Sequence, residues 1–158
     1  MSIVIDPADL PVPPVIYAEI VLCFDYDFPV SVLNGILGIQ ATGLKRQCET
    51  RINPITHLPN PGYWEYRTKE FSSFDCDPLF ALLQDLLSEL TSNLEQVFVQ
   101  YLPSDFFVRI YVEVQQENEF PAIRITPQLL STMAALNATL DIIVEGDYEI
   151  AGESLEFT

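Results

Sequence analysis

The stretch FFVRIYVEVQ, residues 106–115, places Phe106, Val108, Ile110, Val112 and Val114 on one side and Phe107, Arg109, Tyr111 and Glu113 on the other. Side chains of a strand point alternately to its two faces, so this period of two predicts a strand with one apolar and one charged face. VIYAEIVLCF, residues 15–24, repeats the pattern: Ile16, Ala18, Ile20, Leu22 and Phe24 are apolar, whereas Tyr17, Glu19 and Val21 are mixed. A third strand is expected from Tyr63 to Phe71, with Trp64 and Tyr66 facing one way and Glu65, Arg67 and Lys69 the other. Strands of this kind need a cover on one face only, which is the habit of a mostly antiparallel sheet.

The cover is legible as helices. Leu79, Leu83, Leu86, Leu90, Leu94, Val97 and Tyr101 recur at steps of three and four, one apolar helical stripe opened by Asp77-Pro78 and stopped by Pro103. Asp27 and Pro29 predict the start of a shorter helix over 30–37, with Asp27 as its N-cap and Gly38 as its end. Thr126-Pro127 opens a third, running to about Leu136 with Asn137 as a left-handed terminator. Short strands are expected at 122–125 and 140–144. The order is therefore β-α-β-α-β-β-α-β, an α+β fold with helices packed on one face of the sheet. Residues 1–14 read as a Pro-rich lead-in, 15–145 as a single domain and 146–158 as an acidic tail. Residues 39–62, with Asn53-Pro54 and Asn60-Pro61-Gly62, are the least regular part.

Several of these features come in an order that resembles a bacterial family catalogued as domain of unknown function 4279. The resembling residues are Leu37-Gly38-Ile39, then Gly43 with Lys45 and Arg46, and Tyr63-Trp64-Glu65 opening a strand before the Leu-rich helix. The close, Pro121-Ala122-Ile123-Arg124-Ile125-Thr126 through Leu140-Asp141-Ile142, completes the likeness, which spans roughly residues 15–145. The resemblance implies a small cytoplasmic α+β domain; it brings no activity and no catalytic residues.

Charge carries most of the functional information. The chain has 23 Asp and Glu against 7 Lys and Arg, a net charge of −16. A small domain needs a net charge of only about 2 to 8 for solubility, and an excess of one sign weakens the compact state. Residues 45–69 hold five basic side chains (Lys45, Arg46, Arg51, Arg67, Lys69) and two acidic ones (Glu49, Glu65), leaving −19 on the rest of the chain. Nucleic acid and anionic membranes are excluded as partners on this ground, since both are bound through Lys and Arg. No run is long and apolar enough for a membrane span, and the start MSIVIDPADLPVPP has no signal-peptide pattern, so a cytoplasmic location is expected. Three widely spaced cysteines, Cys23, Cys48 and Cys76, fit reduced thiols there.

No motif carries catalytic chemistry. There is no G-x-S-x-G, no phosphate-binding G-x-x-x-x-G-K-S/T, no H-E-x-x-H and no C-x-x-C. The single histidine, His57, sits in a Pro-rich loop without a nucleophile motif. Asp25-Tyr26-Asp27 and Asp75-Cys76-Asp77 resemble cation ligands, but each precedes a Pro-started helix, where carboxylates serve as caps and complement the helix dipole. No metal and no cofactor is expected, and the chain is read as a non-enzyme.

The leading expectation is a monomeric protein that binds a basic protein, such as the cationic domain of a nuclease toxin, in the manner of an immunity protein. Its candidate contacts are Asp85, Glu89, Asp141, Glu145, Asp147, Glu149, Glu153 and Glu156. The alternative is an enzyme or small-ligand binder using an aromatic and basic sheet face, with Tyr17, Trp64, Tyr66, Arg67, Arg109 and Tyr111 beside the 45–51 loop. Tyr and Arg favour binding, but the same side chains suit plain cross-strand ion pairing on a solvated sheet.

Overall fold

Strand β1 (Val15–Phe24) lies at the centre of the fold. In the computed structural model, which describes residues 2–4, 6–7, 10–116 and 120–146, it is hydrogen-bonded on both sides. The chain continues through α1 (Val30–Leu37), β2 (Gly43–Lys45), a 3-10 turn (Gln47–Glu49), β3 (Gly62–Arg67) and β4 (Phe71–Ser72). It then runs through α2 (Asp77–Tyr101), β5 (Asp105–Val114), α3 (Pro127–Ala135) and β6 (Thr139–Gly146). The six strands form one sheet in the order β2-β3-β1-β5-β6, with β4 beside β1. All pairs are antiparallel except β5 with β6, whose parallel pairing is reached by crossing over through α3. This is the expected α+β class with a mostly antiparallel sheet.

The apolar faces of β1 and β5 meet the helices as their alternation predicts. Ile16, Ala18, Ile20 and Leu22 are buried with Val108, Ile110 and Val112 beneath Leu79, Leu83, Leu87 and Leu94 of α2. The buried stripe of α2 runs through Leu87, and Leu86 lies at its margin. Each fully buried Leu contributes about 1.5–3 kcal/mol of hydrophobic stabilisation. Two terminators behave as read: Gly38 closes α1 at φ 70°, and Asn137 takes φ 53° after α3. Thr126 caps α3, its side chain accepting from the Leu129 backbone N–H.

Other expectations need correction. Residues 122–125 do not form a strand; only Ala122 makes an isolated bridge, to Asp75. The strand expected over 63–71 is broken after Arg67. Glu19 pairs with Arg67 and Ile16 with Phe71, so three steps along β1 face four along its partner. That extra residue is a β-bulge. Thr68 fills the gap: its N–H donates to the Ala18 carbonyl at 2.9 Å, and its Oγ1 accepts from the Ala18 N–H at 3.0 Å. Asp27 does not cap α1, whose N-cap is Pro29 without a side-chain bond. Its Oδ1 accepts from the Cys48 N–H at 2.9 Å and ties the 3-10 turn to the end of β1. Asp75 accepts from the N–H of Asp77, the first residue of α2, at 3.0 Å.

Candidate functional site

Among the described residues no helix packs on the other face of the sheet, and its charges fall in rows set by strand register. Arg67 of β3 lies opposite Glu19 of β1, Glu19 opposite Arg109 of β5, and Arg109 opposite Asp141 of β6. Signs alternate along this row, the favourable arrangement for cross-strand neighbours. Arg67 donates to Glu19 Oε1 from Nε at 3.1 Å and from Nη2 at 2.8 Å. Arg109 Nε lies 3.5 Å from Asp141 Oδ2, an ion pair without hydrogen-bond geometry.

Aromatic rings shelter the row. Tyr17 and Tyr111, opposite each other in β1 and β5, stack at 4.9 Å between ring centroids. The Arg67 guanidinium sits 4.6 Å from the centre of the Tyr17 ring, a cation–π distance. Glu19 is therefore only 3% exposed, although it lies on the face away from the helices. Sequence reading placed Tyr17 and Glu19 on a solvated face. The central strand instead has bulky neighbours on both sides that bury them. Burial first, and then the Glu19 charge, raises the Tyr111 phenol above its ordinary value. Glu65 is raised in the same way, by burial and then by Glu19.

A shallow depression of about 340 Å³ opens on this face, with Glu19, Glu65, Arg67, Arg109, Tyr63 and Tyr111 in its wall. It brings together four of the six residues read as a ligand face: Arg67, Arg109, Tyr111 and, through its stack on Tyr111, Tyr17. The other two lie elsewhere. Trp64 is fully buried on the helix side, its Nε1 donating to Asn34 Oδ1 of α1 at 2.8 Å, and Tyr66 packs against the same core. Period-two alternation separates residues 64 and 66 from 65 and 67, so they could not have shared a face. The two arginines in the depression are balanced by Glu19 and Glu65 in its wall, with Asp141 beside it.

One register step beyond the Tyr17–Tyr111 pair the compensation ends. Glu113 of β5 lies directly opposite Glu145 of β6. Together with Gln115 they line a second depression, of about 440 Å³. No ion pair involves either glutamate among the described residues. Like charges facing each other across a sheet are destabilising. Glu113 was read only as a charge on the sheet face; its pairing with Glu145 depends on which strand lies beside β5, which alternation does not reveal.

The acidic contacts expected from sequence do not form one site. Asp85 and Glu89 are exposed on α2, in the helix layer, whereas Asp141 and Glu145 lie on the opposite face of the sheet. Asp147, Glu149, Glu153 and Glu156 lie outside the described residues. Among the described residues no three His, Cys, Asp or Glu side chains gather as a metal site would need, and all three cysteines are free thiols. No helix among them is long and apolar enough to cross a membrane.

The family model for the domain of unknown function, DUF4279, matches residues 15–147, so the chain belongs to that family. Its match begins at β1 and takes in all six strands and three helices. No curated protein and no solved structure matches the chain.

Proposed function

We propose that this is a non-enzymatic binding protein that neutralises a basic partner protein. In its most concrete form it is a cytoplasmic immunity protein of the bacterial kind, holding a cationic toxin domain such as a nuclease. The observation that carries this reading is the facing pair Glu113 and Glu145. The central row of charges is balanced within the fold, whereas neither glutamate of this pair forms an ion pair among the described residues. An incoming Lys or Arg would turn an unfavourable pairing into a bridged one. The net charge of −16 gives the same partner a long-range attraction. The ligand-face alternative is weaker, because Arg67 and Arg109 are already engaged by Glu19 and Asp141.

Capture of partners on the immobilised full chain, with identification by mass spectrometry, tests the proposal. The expected result is a basic protein retained at low salt and released as salt rises, encoded beside this chain and fused to a secretion module. Retention of neutral or acidic proteins alone, or turnover of a small molecule by the purified chain, would overturn it.

A further inference from the structure

The two edges of the sheet are built differently. At one end, β2 is only three residues long and gives way at once to the 3-10 turn. At the other, β6 pairs with β5 without a bulge from Thr139 to Gly146, and its outer side has no strand partner among the described residues. Long edges are normally blunted by Lys, Pro, a bulge or a cover, because their free N–H and C=O groups accept further strands. β6 has no Lys, Pro or bulge; its only charges, Asp141 and Glu145, deter another acidic strand but not a basic one.

Its side chains state what kind of strand would fit. On the helix side Ile142 and Val144 remain 42% and 48% exposed, beyond the part of β6 that packs on the core through Leu140. On the open side the strand presents Asp141 and Glu145 on either side of the half-buried Ile143, with Glu113 next to Glu145. A matching strand has apolar side chains on one face and, on the other, basic ones near Asp141 and Glu145, whose long aliphatic stems also suit Ile143 between them. A second copy of β6, or the acidic stretch 147–158, would set carboxylates against carboxylates.

We propose that the outer edge of β6 takes up an extended basic segment of the partner as an additional strand. Alternate apolar side chains of that segment rest on Ile142 and Val144, and the intervening Lys or Arg side chains reach Glu145, Glu113 and Asp141. Main-chain hydrogen bonds supply affinity and the alternation supplies selectivity, as in other strand-addition complexes. This inference rests on the basic-partner reading and specifies how that partner docks.

The test is amide hydrogen exchange on the full chain at low salt, with three capped heptapeptides as probes. They are Lys-Val-Lys-Thr-Lys-Val-Lys, the same peptide N-methylated at alternate residues, and its counterpart with Glu in place of Lys. At ten times its dissociation constant the lysine peptide should slow exchange of the outward amides of β6 about tenfold. The N-methylated and glutamate peptides should not. Absence of lysine-peptide binding overturns strand addition, as does β6 that is already protected in the free chain. Salt-sensitive binding with protection elsewhere, for instance along Asp85 and Glu89, overturns the edge and leaves the basic-partner reading standing. Equal protection by the lysine and glutamate peptides does the reverse.

Discussion

Arg67 holds Glu19 through two nitrogens on one carboxylate oxygen, at 3.1 and 2.8 Å, in the middle of the sheet face away from the helices. The carboxylate is 3% exposed, whereas the guanidinium stays half in solvent. Removing one partner of a buried pair leaves a charge uncompensated and costs about 3–5 kcal/mol; partial exposure of Arg67 reduces this to about 2 kcal/mol. Arg67→Met should therefore lower the free energy of unfolding by that amount in urea titration. Glu19→Leu combined with Arg67→Met should restore most of it, because replacing both partners by apolar groups removes the desolvation cost.

The bulge at Thr68 is a second sensitive point. Thr68→Val keeps the shape of the side chain but removes the oxygen that accepts from the buried Ala18 N–H. An unsatisfied buried donor costs about 1–3 kcal/mol. Thr68→Ser, which keeps the acceptor, should lose less than Thr68→Val in the same titration.

Stability should depend on pH through two carboxylates shifted in opposite directions. Glu65 is raised by burial and by Glu19, so between its ordinary and raised values the folded protein holds a proton that the unfolded chain has released. Stability therefore falls as pH rises through that interval, and Glu65→Gln should flatten the curve there and stabilise the protein at neutral pH. Asp27 is lowered, chiefly by the Cys48 backbone N–H, with Arg46 adding to it. Its contribution is present above the ordinary carboxyl value and is lost as pH falls through the lowered one, so Asp27→Asn should flatten the more acidic limb. Thermal unfolding of both variants from pH 2 to 8 separates the two windows; a single window common to both would contradict the assignment.

Two of the three thiols, Cys48 and Cys76, should react in a fixed order. Cys48 is exposed, whereas Cys76 is fully buried and its thiol is pushed up to about 11 by burial, with Asp75 and Asp77 adding to it. At pH 8 about a thousandth of Cys76 would be thiolate even if reagent could reach it. Labelling with a thiol reagent followed by peptide mapping should find Cys48 modified in the native protein and Cys76 only after unfolding.

What sequence made legible follows from periodicity and punctuation. Alternation in residues 15–24 and 106–115 and the three-and-four spacing of α2 have tertiary consequences that hold whatever the neighbours are. Gly38, Thr126 and Asn137 terminate or cap helices for local reasons. Two short strands, β2 and β4, have no pattern because three and two residues are too few to show one. The charged site was half legible. Alternation put Glu19, Arg67 and Arg109 on one face, but only strand order aligns them with Asp141 and sets Glu113 against Glu145. Burial of Glu19 likewise depends on the Tyr17–Tyr111 stack, which joins residues 94 positions apart.

The central claim is that the excess negative charge serves recognition of a basic protein, and the rate of association tests it most directly. Stopped-flow mixing of the full chain with its captured partner should give an association rate constant that falls at least about tenfold between 20 and 300 mM salt, as electrostatic steering requires. Glu145→Gln should lower that rate at low salt and reduce its salt dependence. An association rate that stays flat across the same range would contradict the claim.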